Sequence, residues 1–337
     1  LRDGPAASRS PQVTRLEWGL LAALTLVAAA LRLWRLDILA PGIHVDEAYN
    51  ILDARAVIAG WRPIFLPANA GRDVLYTYLQ APLLALFGSP DEASIGPARM
   101  ASALIGTLSI PIFWATARAL AVAITNASIK KPDRTSTGPF SGTIHDPAPA
   151  AAVRRIALFT AALTAFSYWH LHFSRFGIRA ILFPPLVCLL ILAWWRLLDG
   201  FDSQPALPAE PAQPALPALI PLGLLLGLAF YAHPAGRALV ALPAAHAAWL
   251  WWREKDPRPV RALAAAFALA LLIAAPLLFF WWQHPETFTS HAGETSILDQ
   301  GLGALAANAL KVVGMFLWAG DPAPWRNLPG RTVFGPI

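Results

Sequence analysis

The feature that most constrains this chain is a series of long uncharged apolar runs, each bounded by arginine at one end or both. Cut at the charges they are Trp18–Leu31, Met100–Ala117, Ile156–Ser174, Ala180–Trp195, Ala212–Gly236, Ala238–Trp252 and Ala262–Pro285. A bilayer core needs about 20 apolar residues in helix. The short runs reach that length because arginine at a helix end can bury its stem and keep its head in water, so Arg32, Arg196 and Arg253 need not terminate their helices. Tryptophans gather at run ends, at Trp194 and Trp195, at Trp249, Trp251 and Trp252, and at Trp281 and Trp282. This is the aromatic belt of a membrane interface. Seven spans are expected, and Gly301–Gly320, broken by Lys311, is expected at the interface. Only 14% of the 337 residues are charged, against roughly 25% in soluble domains. An ordinary cytosolic enzyme, a disordered chain and a disulfide module are thereby excluded. The single cysteine, Cys188, lies in an apolar run and says nothing about redox compartment.

Basic residues set the orientation. With the N-terminus inside, the inner segments hold 14 of the 26 Lys and Arg, and the outer ones, the long first loop aside, hold six. The expected topology is an N-terminus in the cytoplasm of a cell-membrane protein. No small-residue cleavage site follows the first run, so it reads as an uncleaved span. Residues 1–15 read as a disordered cytoplasmic tail and 16–337 as one transmembrane domain. Within it, 121–152 form a floppy cytoplasmic linker and 286–337 an outer segment. Residues 203–217, with proline at every third position from Pro205 to Pro217, form an extended spacer. Asn126-Ala127-Ser128 matches a glycosylation acceptor, which has no meaning on the inner side.

The long outer loop, 37–99, is too ordered in composition to be a linker. Asp46–Ala59 reads as a helix ending at Gly60, and Leu75–Phe87 as a second; both suit the membrane surface. The loop carries seven acids, and His44-Val45-Asp46-Glu47-Ala48 stands about ten residues after the first span. Asp46 has two compatible readings, an N-cap with Glu47 in the first turn, or a general base for an acceptor hydroxyl. Three further outer segments carry basic residues. In Tyr168–Arg179, Arg175 and Arg179 either flank helix ends or present forks to phosphate. His170 and His172, two apart, are poorly spaced for a metal. Tyr231–Arg237 offers His233 and Arg237 in a tight hairpin. The tail offers Arg326, Asn327 and Arg331. No glycine-rich nucleotide loop is visible, and no nucleic-acid partner is expected.

His44-Val45-Asp46-Glu47-Ala48, His172-Phe173-Ser174-Arg175-Phe176-Gly177-Ile178-Arg179-Ala180, and Gly320-Asp321 with Arg326-Asn327-Leu328-Pro329-Gly330 resemble the GT-C superfamily of membrane glycosyltransferases. The likeness is to the bacterial family 39 type, similar to dolichyl-phosphate-mannose–protein mannosyltransferases. The resemblance implies an all-α polytopic helix bundle, with interfacial helices in the first outer loop. It implies inverting transfer of a sugar from a polyprenyl-phosphate donor to a protein or lipid hydroxyl on the outer face. Asp46 matches the family's general base and Glu47 its neighbour. His44, Arg175, Arg179, His233, Arg237, Arg326 and Asn327 are the candidates for binding substrate. No cofactor is implied, and no ligand set supports a divalent metal. Relatives carry a further acid in the second outer loop, which this sequence lacks between Tyr168 and Ala180. They also run longer, so the chain is expected to be truncated at its C-terminus. The alternatives are a transporter or flippase of an amphipathic lipid, which would need polar residues at mid-span, and a structural subunit.

Overall fold

A computed structural model describes residues 11–39, 41–89, 94–130, 147–202, 216–288, 300–323 and 329–333. Thr14 starts the first helix, its Oγ accepting from Glu17 N at 3.2 Å. That helix, α1 (Arg15–Leu33), leads into a first loop holding α2 (Val45–Ile58), a two-residue antiparallel ladder β1 (Phe65–Leu66) with β2 (Arg72–Asp73), and α3 (Leu75–Phe87). There follow α4 (Ile95–Lys130), α5 (Pro147–Phe166), the short α6 (Tyr168–Ser174) and a 3-10 helix at Arg179–Leu182. Then come α7 (Phe183–Asp202), α8 (Leu216–Ala232), a 3-10 helix at Pro234–Val240, α9 (Ala241–Glu254), α10 (Arg258–Gln283) and α11 (Gly301–Leu317).

Among the described residues, five helices are long and apolar enough to cross a membrane: Arg15–Leu33, Ile95–Asn126, Pro147–Phe166, Arg179–Phe201 and Arg258–Gln283. Two expected spans are shorter, α8 with 17 and α9 with 14 residues, about 26 and 21 Å at 1.5 Å per residue. The tight hairpin expected between them is instead the 3-10 helix 234–240. Three boundaries also differ from expectation. The expected linker 121–152 is helical at both ends: α4 continues to Lys130 because its apolar pattern persists, and Pro147 opens α5, where its missing N–H costs nothing. The run Ile156–Ser174 breaks at Ser167, whose ψ of 123° leaves the helical region. Pro205–Pro214 lies outside the described residues, and Pro217 falls in the first turn of α8.

Lipid offers no hydrophobic drive to bring helices together, so packing depends on small residues that admit a close approach. Ala262, Ala266, Ala270 and Ala274 recur every fourth residue along α10 and are fully buried. Gly223 and Gly227 of α8 lie against the same helix: a Cβ on Gly223 would lie 2.9 Å from the Ala266 carbonyl, and one on Gly227 2.8 Å from Ile273 Cβ. Ala157, Ala161 and Ala165 of α5 form the same stripe in the core shared with α1 and α4.

Arg196 and Arg253 are exposed, as snorkelling requires. Arg32 is not: it is fully buried. Its guanidinium donates to Ser174 Oγ (3.2 Å), to the carbonyls of Ala28 and Ala165 (3.1 Å each) and Thr164 (3.0 Å), and to His170 Nδ1 (3.0 Å). One side chain thereby ties α1 to the α5–α6 break, satisfying the carbonyls the break releases.

Candidate functional site

The N-terminus of α2 is capped by His44, not Asp46. His44 Nδ1 accepts from Asp46 N at 3.2 Å while Glu47 reaches back to accept from His44 N at 3.1 Å, a capping box. This leaves Asp46 in the first turn with its carboxylate one-third exposed. Glu47 turns inward. It takes a bidentate fork from Arg99 (2.7 and 3.0 Å) and Gly177 N–H at 2.9 Å, and is 2% exposed. Arg99 also donates to the carbonyls of Leu36, Leu39 and Gly42. The pair joins the two ends of the first loop to Gly177, near the end of the second outer segment. Of the two neighbouring acids, one is locked in a buried ion pair and the other faces outward.

The β1–β2 ladder folds back over α2 through Asn69, Ala70 and Gly71, all with positive φ (54°, 64° and 78°). Consecutive left-handed residues cost energy at the two non-glycine positions. The turn sets Asn69 Nδ2 2.6 Å from Asp46 Oδ1. Asp46 Oδ2 lies 3.5 Å from His44 Nδ1. The ladder also buries Arg72, which donates to Asn50 Oδ1 (2.7 Å), to the Ala68 carbonyl and to Asp53, and lies over the Tyr49 ring. Asp73, 2% exposed, pairs with Arg237 at 2.9 Å across from the 3-10 helix 234–240. Arg237 in turn lies 4.3 Å above the Trp281 ring of α10.

Arg179 stands in the field of all these charges, attracted by Asp73 and Asp46 and repelled by Arg72 and Arg237. Its Nη1 is a buried donor with no acceptor, as are Arg237 Nε and Trp281 Nε1. Buried donors are almost always satisfied. Three such donors lie on Arg179, on Arg237 and on the Trp281 ring that Arg237 covers.

The remaining expected residues fall elsewhere. Arg175 donates to the carbonyls of Leu31 (2.5 Å), Arg32 (3.1 Å) and Trp34 (2.7 Å), closing the C-terminal end of α1. Burial and the nearby Arg99 charge pull its proton affinity down. His233 caps the 3-10 helix, its Nδ1 accepting from Ala235 N, and packs on Phe183. Arg326 and Asn327 lie outside the described residues. Among the described residues no three His, Cys, Asp or Glu side chains converge as metal ligands. Asn69, Asp73, Arg72 and Arg99 were not singled out from sequence. The one available signal was Asn69-Ala70-Gly71, a turn-forming run inside a loop otherwise rich in apolar residues.

No family model matches the chain, and no curated protein matches it by sequence. Among solved structures, the fold is similar to that of the protein O-mannosyltransferase Pmt1–Pmt2 complex of S. cerevisiae bound to the sugar donor, with a TM-score of 0.54 and 18% identity over 85% of this chain. The fold is of the GT-C type. The chain spans 38% of the length of that yeast protein. With five candidate spans, it is a multi-pass membrane protein.

Proposed function

We propose that this chain is a GT-C glycosyltransferase of the family 39, mannosyltransferase-like kind, using a polyprenyl-phosphate-linked sugar. Asp46 acts as the base. It takes the proton of an acceptor hydroxyl on a protein or lipid as that oxygen attacks the anomeric carbon from the face opposite the phosphate. The carbon–oxygen bond to phosphate breaks, its electron pair leaves with the polyprenyl phosphate, and configuration inverts. Arg179 and Arg237 hold the leaving phosphate, where preorganised cations stabilise developing charge. Asn69 fixes Asp46 Oδ1 and leaves the other oxygen to work. Glu47 positions the helix and takes no proton. The N-terminus faces the cytoplasm of a cell membrane and the site faces outward.

The observation that carries this reading is a partly exposed carboxylate, Asp46, within the electrostatic reach of Arg179, a cation with a buried donor left open. A flippase is less favoured because this polarity gathers at one end of the helices. In membranes supplied with polyprenyl-phosphate sugar and acceptor, Asp46→Asn is expected to lower transfer by about 10²–10⁴-fold while the protein still accumulates. Undiminished transfer would remove Asp46 from the mechanism. Arg179→Gln is expected to weaken donor binding as well as transfer.

A further inference from the structure

Away from the Asp46 cluster, a cavity of about 610 Å³ opens beside the break between α5 and α6. Its walls are apolar, with Phe113 of α4 and Phe159, Leu163 and Phe166 of α5, and one end is polar, with His170 and Arg331. No acidic side chain lines it among the described residues. A second cavity of about 650 Å³ shares Phe159 and Ala162 with it and runs along α5 to Arg155. Phe159, Leu163 and Phe166 are each more than half exposed, so this trough faces the bilayer.

The polar end is specific. Arginine has no acceptor, so Arg32 Nη2 at 3.0 Å obliges His170 Nδ1 to accept. The proton of the neutral ring then sits on Nε2. That Nε2–H is buried and has no acceptor. Burial and the Arg32 charge hold the ring's pKa down to about 4, so it stays a neutral donor at physiological pH. His170 lies just past the end of span α5, and Arg331, packed 4.1 Å over the Tyr168 ring, adds a positive charge.

We infer that this cavity is a binding site for an anionic phospholipid of the surrounding bilayer. The phosphate accepts from His170 Nε2–H and pairs with Arg331, while an acyl chain lies along Phe159 and Leu163. The occupant is a lipid because the trough is open to the membrane, and an anionic one because its lining carries the Arg331 cation and the open His170 donor, with hydroxyls of Thr164, Ser167 and Tyr168 and, among the described residues, no carboxylate. It is not the sugar donor, whose phosphate the proposed mechanism places at Arg179.

The full chain, purified from nanodiscs containing phosphatidylglycerol and phosphatidylcholine in equal amounts, tests this by native mass spectrometry. Preferential retention of phosphatidylglycerol is expected, reduced about tenfold by Arg331→Gln. Ala162→Trp, which fills the shared wall, is expected to remove it with the melting temperature largely kept. Equal retention of both lipids, or retention unaffected by both variants, would overturn the proposal. So would displacement of phosphatidylglycerol by polyprenyl phosphate in the wild type but not in Arg331→Gln. Because neither variant touches Asp46, Arg179 or Arg237, failure here leaves the transferase reading to its own assay.

Discussion

Two adjacent carboxylates in α2 illustrate how position within one turn divides roles. Glu47 has both oxygens committed to Arg99, Gly177 N–H and His44 N–H. Removing its charge strands a buried guanidinium, at a cost of about 3–5 kcal/mol. Glu47→Gln is therefore expected to lower the melting temperature in detergent sharply, and any loss of transfer should follow the loss of folded protein. Asn69 makes the opposite prediction. Its one bond is to Asp46, so Asn69→Ala should leave stability almost unchanged and lower kcat by roughly ten- to a hundredfold with KM little altered. A matching fall in melting temperature would assign Asn69 to the fold alone. His170 carries a pH effect. Its folded pKa of about 4 lies below its ordinary 6.5, so its contribution is complete above about pH 6.5. It is lost as pH falls toward 4, at up to about 1.4 kcal/mol per unit. Thermal melts of the purified chain should drop across that window, and less so in His170→Gln.

At the scale of elements, the contacts that matter are between backbones. The α8–α10 contact depends on Gly223 and Gly227 lying flat against Ala266 and Ile273. Gly227→Leu has no void to enter and is expected to separate the two helices, read as loss of folded material in size-exclusion chromatography. Replacing Gly19, which meets nothing within 4 Å, should be silent. The β1–β2 ladder is only two residues long on each side. Its role is to set the left-handed turn that delivers Asn69 to Asp46 and to carry Arg72 and Asp73 into contact with neighbouring helices.

For the whole molecule, the topology expectation is testable through the lone cysteine. In a Cys188→Ser background, Trp61→Cys should react with a membrane-impermeant thiol reagent on intact cells, and Glu254→Cys only after permeabilisation. The inverse pattern would turn the protein over and put Asp46 in the cytoplasm. How much of this was legible beforehand follows a physical division. Apolar runs bounded by arginine announce spans, since a bilayer demands length and internally paired backbone whatever the neighbours are. The helices at 45–58 and 75–87 were likewise readable from local signals, although the cap of the first is His44 and not Asp46. What sequence by itself determined was therefore a helical membrane bundle with an acid-bearing first loop. Only the tertiary structure decided that Glu47 is spent on Arg99, that Arg32 is buried and not snorkelled, that Arg175 closes α1, and that Asp73 and Arg237 meet 164 residues apart. Those outcomes rest on which charges are brought together out of water, and pairing across such separations leaves no periodic trace in the chain.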